Sequence, residues 1–222
     1  LHPESMRRAV REAGADAGFC YDGDADRLIA ADENGEPVDG DKILCIFAKE
    51  LKLRGRLPHN LAVGTAHTNT GAERELAAHG ITLYRTDVGD KYVAAHMRRS
   101  GAAVGGEQSG HIILANYSTT GDGILTSVKL AELVSRKKLS VLAKMRLLPQ
   151  YNVSVKVKDK VRVLGNEGVR AASDEAEKLA ERVVVRASGT EPVVRIFAEA
   201  ENMRAAREAA ELVRRAIARS EE

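Results

Sequence analysis

Cysteine is scarce in this chain: only Cys20 and Cys45 occur in 222 residues, both in apolar stretches. Two such thiols build no disulfide framework and suit a reducing compartment, so the expected location is the cytoplasm. No apolar run approaches the ~18 residues that a membrane span needs, and no signal peptide is legible. Charge of one sign is lacking as well. The 34 basic residues stand against 32 acidic ones, for a net +2, and are scattered rather than striped, which gives no argument for nucleic acid. Repeats and low-complexity tracts are absent. A start methionine is also missing, and "LHPESMRRAVREAGADAGFCYDG" reads as a helix running into a strand, so the chain is expected to be a fragment that begins inside a domain.

What is present suffices for a core. Hydrophobic residues make up 44% of a length that fits one large or two small domains. After a helix over 4–13 and the short apolar run "ADAGFCY", "RLIAADENGEPVDGD" reads as strand, turn, strand, with Asn34-Gly35 as the turn. "DKILCIFAKELKLRG" has helical spacing and stops at Gly55. Strands and helices then alternate to about residue 146, which predicts an α/β unit with a mainly parallel sheet. Beyond Leu147-Leu148-Pro149-Gln150 the strictly alternating "YNVSVKVKD" and "PVVRIFAEAE", with two helices, predict a small α+β domain.

"CYDGDADRL" places Asp22, Asp24 and Asp26 at every second position, with Arg27 next to them. Carboxylates so spaced can converge on one hard cation, Mg²⁺ or Ca²⁺, and Arg27 can offset surplus charge or bind a phosphate oxygen. The plain alternative is a solvated acidic turn. An EF-hand would use Glu33 at its twelfth position, but Arg27 stands at the sixth, where Gly is required, and the flanks read as strands. A dehalogenase-like D-x-D nucleophile is a further alternative.

Two more loops carry chemistry. "GGEQSGH" joins two strands and supplies Glu107, Gln108, Ser109 and His111, a set that suits a polyhydroxylated ligand; Glu107 or His111 could also move a proton. "RASGTEP" lies between two strands, and Arg186, Ser188, Gly189 and Thr190, with Arg195 beyond, make a plausible phosphate nest that is not a Walker loop. Each has a bland reading as a polar turn. Thr120 is expected to cap the helix that follows "TTGDG", with Asp122 near its positive end.

In this order "DGDADR", "GEQSGH" and "RASGTEP", with "VGDKYV" at 88–93 and "TTGDGI" at 119–124, resemble the α-D-phosphohexomutase family from about residue 14 onward. "GEQSGHIIL", "TTGDGI" and Pro149-Gln150 look most like the branch that acts on glucosamine phosphate. The resemblance implies four domains, of which the chain would hold the tail of the second (1–37), the third (38–146) and the fourth (147–222). It implies Mg²⁺ held by Asp22, Asp24, Asp26 and a phosphoserine of the first domain. The T-A-S-H-N-P-type loop that would carry the serine does not occur in these 222 residues. By the same resemblance His111 and Arg27 are catalytic, with His111 carrying a proton. Glu107, Ser109, His111 and Lys91 read the sugar, and Arg186, Ser188, Gly189, Thr190 and Arg195 hold its phosphate. Two departures stand out. Ala25 replaces a common Gly, and "GTAHTNTG", with His67 and Thr68, replaces T-x-x-S-N-x-G.

The implied activity interconverts glucosamine 6-phosphate and glucosamine 1-phosphate through a 1,6-bisphosphate. The fragment alone is expected to be inactive, because it needs its missing N-terminal half; a homodimer is compatible with the resemblance. The alternatives are a phosphomannomutase or phosphoglucomutase of the same family, or a non-catalytic module that binds phosphosugar or a partner chain.

Overall fold

Helix α1 (Glu4–Ala13) ends on Gly14, whose left-handed φ of 62° breaks the helix and turns the chain into strand β1 (Ala17–Tyr21). Strand β1 pairs antiparallel with β2 (Leu28–Asp32), and the pairing closes at Tyr21 opposite Leu28. The acidic stretch 22–27 is therefore the loop of a hairpin. Strand β3 (Pro37–Val38) completes this sheet, in the order β1-β2-β3. Its turn is held by Asp32, whose Oδ1 accepts from the N–H groups of Asn34 and Glu36 at 2.9 Å each. A computed structural model describes residues 3–221, which form two units: one reaching Arg146, the other starting at Leu147.

The first unit continues with α2 (Gly40–Leu53), β4 (Leu61–Thr65), α3 (Thr70–Ala78), β5 (Thr82–Thr86), α4 (Asp90–Ser100), β6 (Val104–Gly106), β7 (Ile112–Leu114), α5 (Gly123–Val134) and the short α6 (Leu139–Leu142). These strands form a sheet in the order β5-β4-β6-β7. Strand β4 is parallel to both β5 and β6, as expected, while β7 returns antiparallel. The buried Val63 of β4 and Ile113 of β7 meet Val93 and Met97 of α4 in one cluster. Strands β1 and β2 lie in this same compact unit, where both pack on α5.

The structure contains an echo that the sequence does not display. Helix α4 ends on Gly101, at φ 70°, as α1 ends on Gly14, and each helix leads into a strand, a loop and an antiparallel return strand. The acidic loop and the 105–111 loop occupy the same place in the two copies.

The second unit consists of β8 (Gln150–Lys156), α7 (Lys160–Gly165), α8 (Glu167–Glu177), β9 (Arg182–Ala187), β10 (Val193–Glu199) and α9 (Met203–Ser220). Its sheet is antiparallel throughout, in the order β8-β10-β9. Val194, Ile196 and Ala198 alternate onto the helix side, where they bury against Ala209, Val213 and Ile217 of α9. Asn202 caps α9 by accepting from the Ala205 N–H at 2.9 Å. Among the described residues no helix is long and apolar enough to cross a membrane.

Candidate functional site

Ala25 sits at φ 59° and bends the acidic loop back on itself, and its N–H reaches the Asp22 carbonyl at 3.2 Å. The bend brings one carboxylate oxygen of each of Asp22, Asp24 and Asp26 within 4.8 Å of the others. The N–H of Arg27 donates to Asp22 Oδ1 at 3.2 Å, and its guanidinium Nε lies 3.4 Å from Asp22 and 3.7 Å from Asp26. Partial desolvation works against ionisation of Asp22. The Arg27 N–H, the neighbouring Asp26 and the Arg27 charge outweigh it and hold the carboxyl below the usual range. Asp26 Oδ1 is buried and has no hydrogen-bond partner. A hard-oxygen set with one buried, unsatisfied acceptor fits Mg²⁺ or Ca²⁺.

Glu33 takes no part. Its carboxylate accepts from the Ser140 hydroxyl at 2.5 Å and from the Ser140 N–H at 3.2 Å, which also lowers its pKa, so no twelve-residue calcium loop forms.

The 105–111 loop lies directly against the acidic loop. The N–H of Leu28, next to Arg27, donates to the Gly110 carbonyl at 3.0 Å, and the Gly40 N–H at the start of α2 donates to the Gln108 carbonyl at 3.1 Å. Gly110 is at φ 97°, and a Cβ there would strike the Leu28 backbone. Glu107 Oε1 accepts from the Gly89 N–H at 3.0 Å, which joins the loop to the segment entering α4, where Lys91 lies over the Tyr92 ring at 4.8 Å. Ser109 is exposed, whereas His111 is buried. His111 Nδ1 is 3.0 Å from Asp26 Oδ2, and its Nε2 accepts from the Gly121 N–H at 3.1 Å. Both ring nitrogens thus have partners within the loops of this unit.

The "TTGDG" turn closes the cluster. Its capping residue is Asp122, which accepts from the Leu125 N–H at 2.8 Å, and not Thr120. Gly121 and Gly123 have no room for a side chain: a Cβ on the first would strike the His111 ring, and one on the second the carbonyls of Ala25 and Arg27. The two glycines of this turn are the sequence signal for its close approach, but nothing in them names the partners.

In the second unit the 186–191 loop joins β9 to β10. Arg186 and Arg195 are direct cross-strand partners, so their side chains share one face. Arg195 is paired with Glu191 at 2.6 Å, and its Nε is buried without a hydrogen-bond partner. The Ser188 side is buried, while Gly189 and Thr190 are exposed. Sequence reasoning missed Lys160, the first residue of α7, whose ammonium donates to the carbonyls of Ser188 at 2.7 Å and Glu191 at 3.2 Å and so ties the loop down.

The comparisons agree with this anatomy. The family description "Phosphoglucomutase/phosphomannomutase, alpha/beta/alpha domain III" matches residues 39–151, and "Phosphoglucomutase/phosphomannomutase, C-terminal domain" matches 126–216. The chain is 51% identical over 208 residues to the phosphoglucosamine mutase of Symbiobacterium thermophilum, covering 91% of this chain and 46% of that protein. It is 49% identical over 205 residues to that of Anoxybacillus flavithermus, covering 90% and 46%. It thus spans about half the length of the curated relatives it matches.

Among solved structures it resembles a phosphoglucomutase/phosphomannomutase family protein from Burkholderia thailandensis, with a TM-score of 0.80 at 24% identity, covering 99% of this chain and 50% of that one. It also resembles the Aspergillus fumigatus N-acetylphosphoglucosamine mutase solved with GlcNAc-6P and magnesium, with a TM-score of 0.74 at 23% identity, covering 93% and 49%. At these identities the likeness concerns the fold.

Proposed function

The chain belongs to the phosphoglucomutase/phosphomannomutase family, and from that premise we propose that it is the sugar- and phosphate-handling part of a cytoplasmic enzyme that interconverts glucosamine 6-phosphate and glucosamine 1-phosphate. Asp22, Asp24 and Asp26 would hold Mg²⁺. When bound, the ion supplies charge compensation for a phosphoryl group in transfer. Arg27 sets a second positive charge beside the same carboxylates. Glu107 and Ser109 read sugar hydroxyls, with Lys91 and His111 completing that end of the site. Arg186, Ser188, Gly189, Thr190 and Arg195 anchor the phosphate that is not being transferred.

Each half-reaction breaks one P–O bond and forms one. A phosphoserine outside these 222 residues gives its phosphoryl group to the free sugar hydroxyl: the serine O–P bond breaks, the sugar O–P bond forms, and the sugar's proton ends on the freed serine oxygen. The resulting bisphosphate turns over and returns its other phosphoryl group to the serine. Such transfer depends mostly on positioning and charge, which is what these three loops supply.

The observation that carries this reading is the hydrogen-bonded continuity of the acidic loop and the 105–111 loop, through Leu28 to Gly110 and Asp26 to His111. The test combines the chain with the N-terminal portion of the Symbiobacterium thermophilum relative, using glucosamine 6-phosphate and a catalytic amount of 1,6-bisphosphate. Turnover by the pair and none by the chain alone is expected. Turnover by the chain alone removes the external donor. Faster conversion of mannose 6-phosphate or glucose 6-phosphate moves the reading to the sister activities, and failure of the chain to bind any of these sugars rejects it.

A further inference from the structure

Resting on the reading of the 186–191 loop as the phosphate anchor, we propose that Lys160 is a positioning residue for that subsite. It holds the loop with its carbonyls turned inward and its free amides turned out toward the anion. The Lys160 ammonium donates to the Ser188 carbonyl at 2.7 Å and to the Glu191 carbonyl at 3.2 Å. The Val157 N–H donates to the Pro192 carbonyl at 3.0 Å. Three carbonyls from one short loop thus face the 157–160 segment. A trans peptide unit is planar, so the Gly189 N–H points opposite to the Ser188 carbonyl, away from Lys160. Among the described residues neither the Gly189 N–H nor the Thr190 N–H has a protein acceptor, and both residues are exposed. A Cβ on Gly189 would meet nothing within 4 Å. Open space in front of unpaired backbone donors is what an anion nest requires.

The far end of the loop depends on the same ammonium. Glu191 precedes Pro192, so the peptide unit between them carries no N–H, and its carbonyl is the one polar group by which that backbone can be held. Holding it also fixes the origin of the Glu191 side chain, which pairs with Arg195 at 2.6 Å. Lys160 is itself fixed from behind. It is the first residue of α7, whose cap Asp159 accepts from the Val161 and Arg162 N–H groups at 2.9 and 3.0 Å. Ser188 closes the interior of the loop: its N–H donates to the Val193 carbonyl at 2.9 Å, and its hydroxyl accepts from the Glu191 N–H at 3.4 Å. Without the ammonium two carbonyls lose their donor, and rotation of the 188–189 peptide would turn an oxygen toward the incoming phosphate. Lys160 thus acts on the phosphate without touching it.

The test uses the 222-residue chain and glucosamine 6-phosphate as the probe, with binding read from amide nitrogen–proton correlation spectra. In the parent the Gly189 and Thr190 signals should shift on titration and saturate. Lys160→Met should keep the dispersed spectrum of a folded chain and weaken that binding by about fivefold or more. Lys160→Arg, which can still bridge two carbonyls, should recover most of the loss. Lys158 has an ammonium with no partner among the described residues, and Lys158→Met, which removes the same charge two positions away, should bind like the parent. Parent-like binding by Lys160→Met, or equal losses from Lys158→Met and Lys160→Met, overturns the proposal and leaves the phosphate reading standing. A parent whose Gly189 and Thr190 signals do not move overturns the phosphate reading itself. Scalar couplings from the Lys160 ammonium nitrogen to the Ser188 and Glu191 carbonyl carbons decide the matter even if Lys160→Met fails to fold. They are expected in the parent with the sugar phosphate bound, and their absence there refutes the proposal.

Discussion

The carbonyl of Ala25 accepts a hydrogen bond from the Gly123 N–H at 2.9 Å while Ala25 itself stands at φ 59°. An L-residue with a Cβ pays about 1–2 kcal/mol in that region, and glycine does not. The conformation persists because it aims the carbonyl at the turn and the flanking carboxylates at one another. Ala25→Gly should therefore stabilise the folded chain by ~0.5–1 kcal/mol, after allowing for the greater freedom of glycine when unfolded. Thermal unfolding should show a rise of about 2–4 °C per kcal/mol for a chain of this size. A lower melting temperature would show that the strain is not real.

Gly40 opens α2 against the 105–111 loop, and the Glu107 carbonyl occupies the space where its Cβ would lie. A helix position ordinarily gains up to ~1 kcal/mol from Gly→Ala. Here backbone must move instead, so Gly40→Ala should destabilise the chain and weaken glucosamine 6-phosphate binding together. Gly165, the last residue of α7, has open space around it, and Gly165→Ala should be neutral or stabilising with binding unchanged. Equal effects from the two substitutions would contradict the steric account.

Asp39 caps α2 by accepting from the Lys42 N–H at 3.1 Å, and burial raises its pKa against the pull of that hydrogen bond and of the Lys42 charge. A raised folded-state pKa means that the ionised form costs stability at neutral pH, and that this cost fades as pH falls toward the unfolded value near ~3.9. Asp39→Asn keeps a capping oxygen and removes the buried charge, so it should be at least as stable as the parent at pH 7, with the difference vanishing near pH 3.5. Asp39→Ala removes the cap and should lose about 1 kcal/mol at neutral pH. Denaturant titrations at the two pH values check both. An Asn variant less stable at pH 7 than at pH 3.5, relative to the parent, would reverse the sign.

Much of the fold was legible because its elements bury one face at a regular period. In β8 half-buried and exposed side chains alternate, and α1 and α4 stop at glycines that adopt left-handed φ. Short elements were not legible. "LSVL" is too brief for a helical period to register, and in "KVRVLG" the valines at 161 and 163 mimic a strand, so α6 and α7 were missed. The three loops could be read as separate clusters of polar residues. Their partners could not, because Asp26 meets His111 across 85 residues, Glu33 meets Ser140 across 107, and Lys160 meets Ser188 across 28. Contacts of that kind are set by topology and leave no periodic trace.

Arg186 and Arg195 face one another across β9 and β10, and like charges in that relation repel. Glu191 offsets part of the charge on Arg195, and the remainder suits an anion. Two consequences point in opposite directions. In the absence of ligand, Arg186→Ala should leave stability unchanged or raise it by a few tenths of a kcal/mol, because it removes a repulsion. In the presence of glucosamine 6-phosphate, the same change should remove a charge-assisted contact worth ~1.5–3 kcal/mol, which is roughly 10- to 150-fold in affinity. An arginine with a purely structural role would show the reverse, with stability lost and affinity retained. Melting curves of the parent and variant chains, with and without the sugar phosphate, separate the two cases. A ligand-induced rise in melting temperature that survives Arg186→Ala in full would place the phosphate elsewhere.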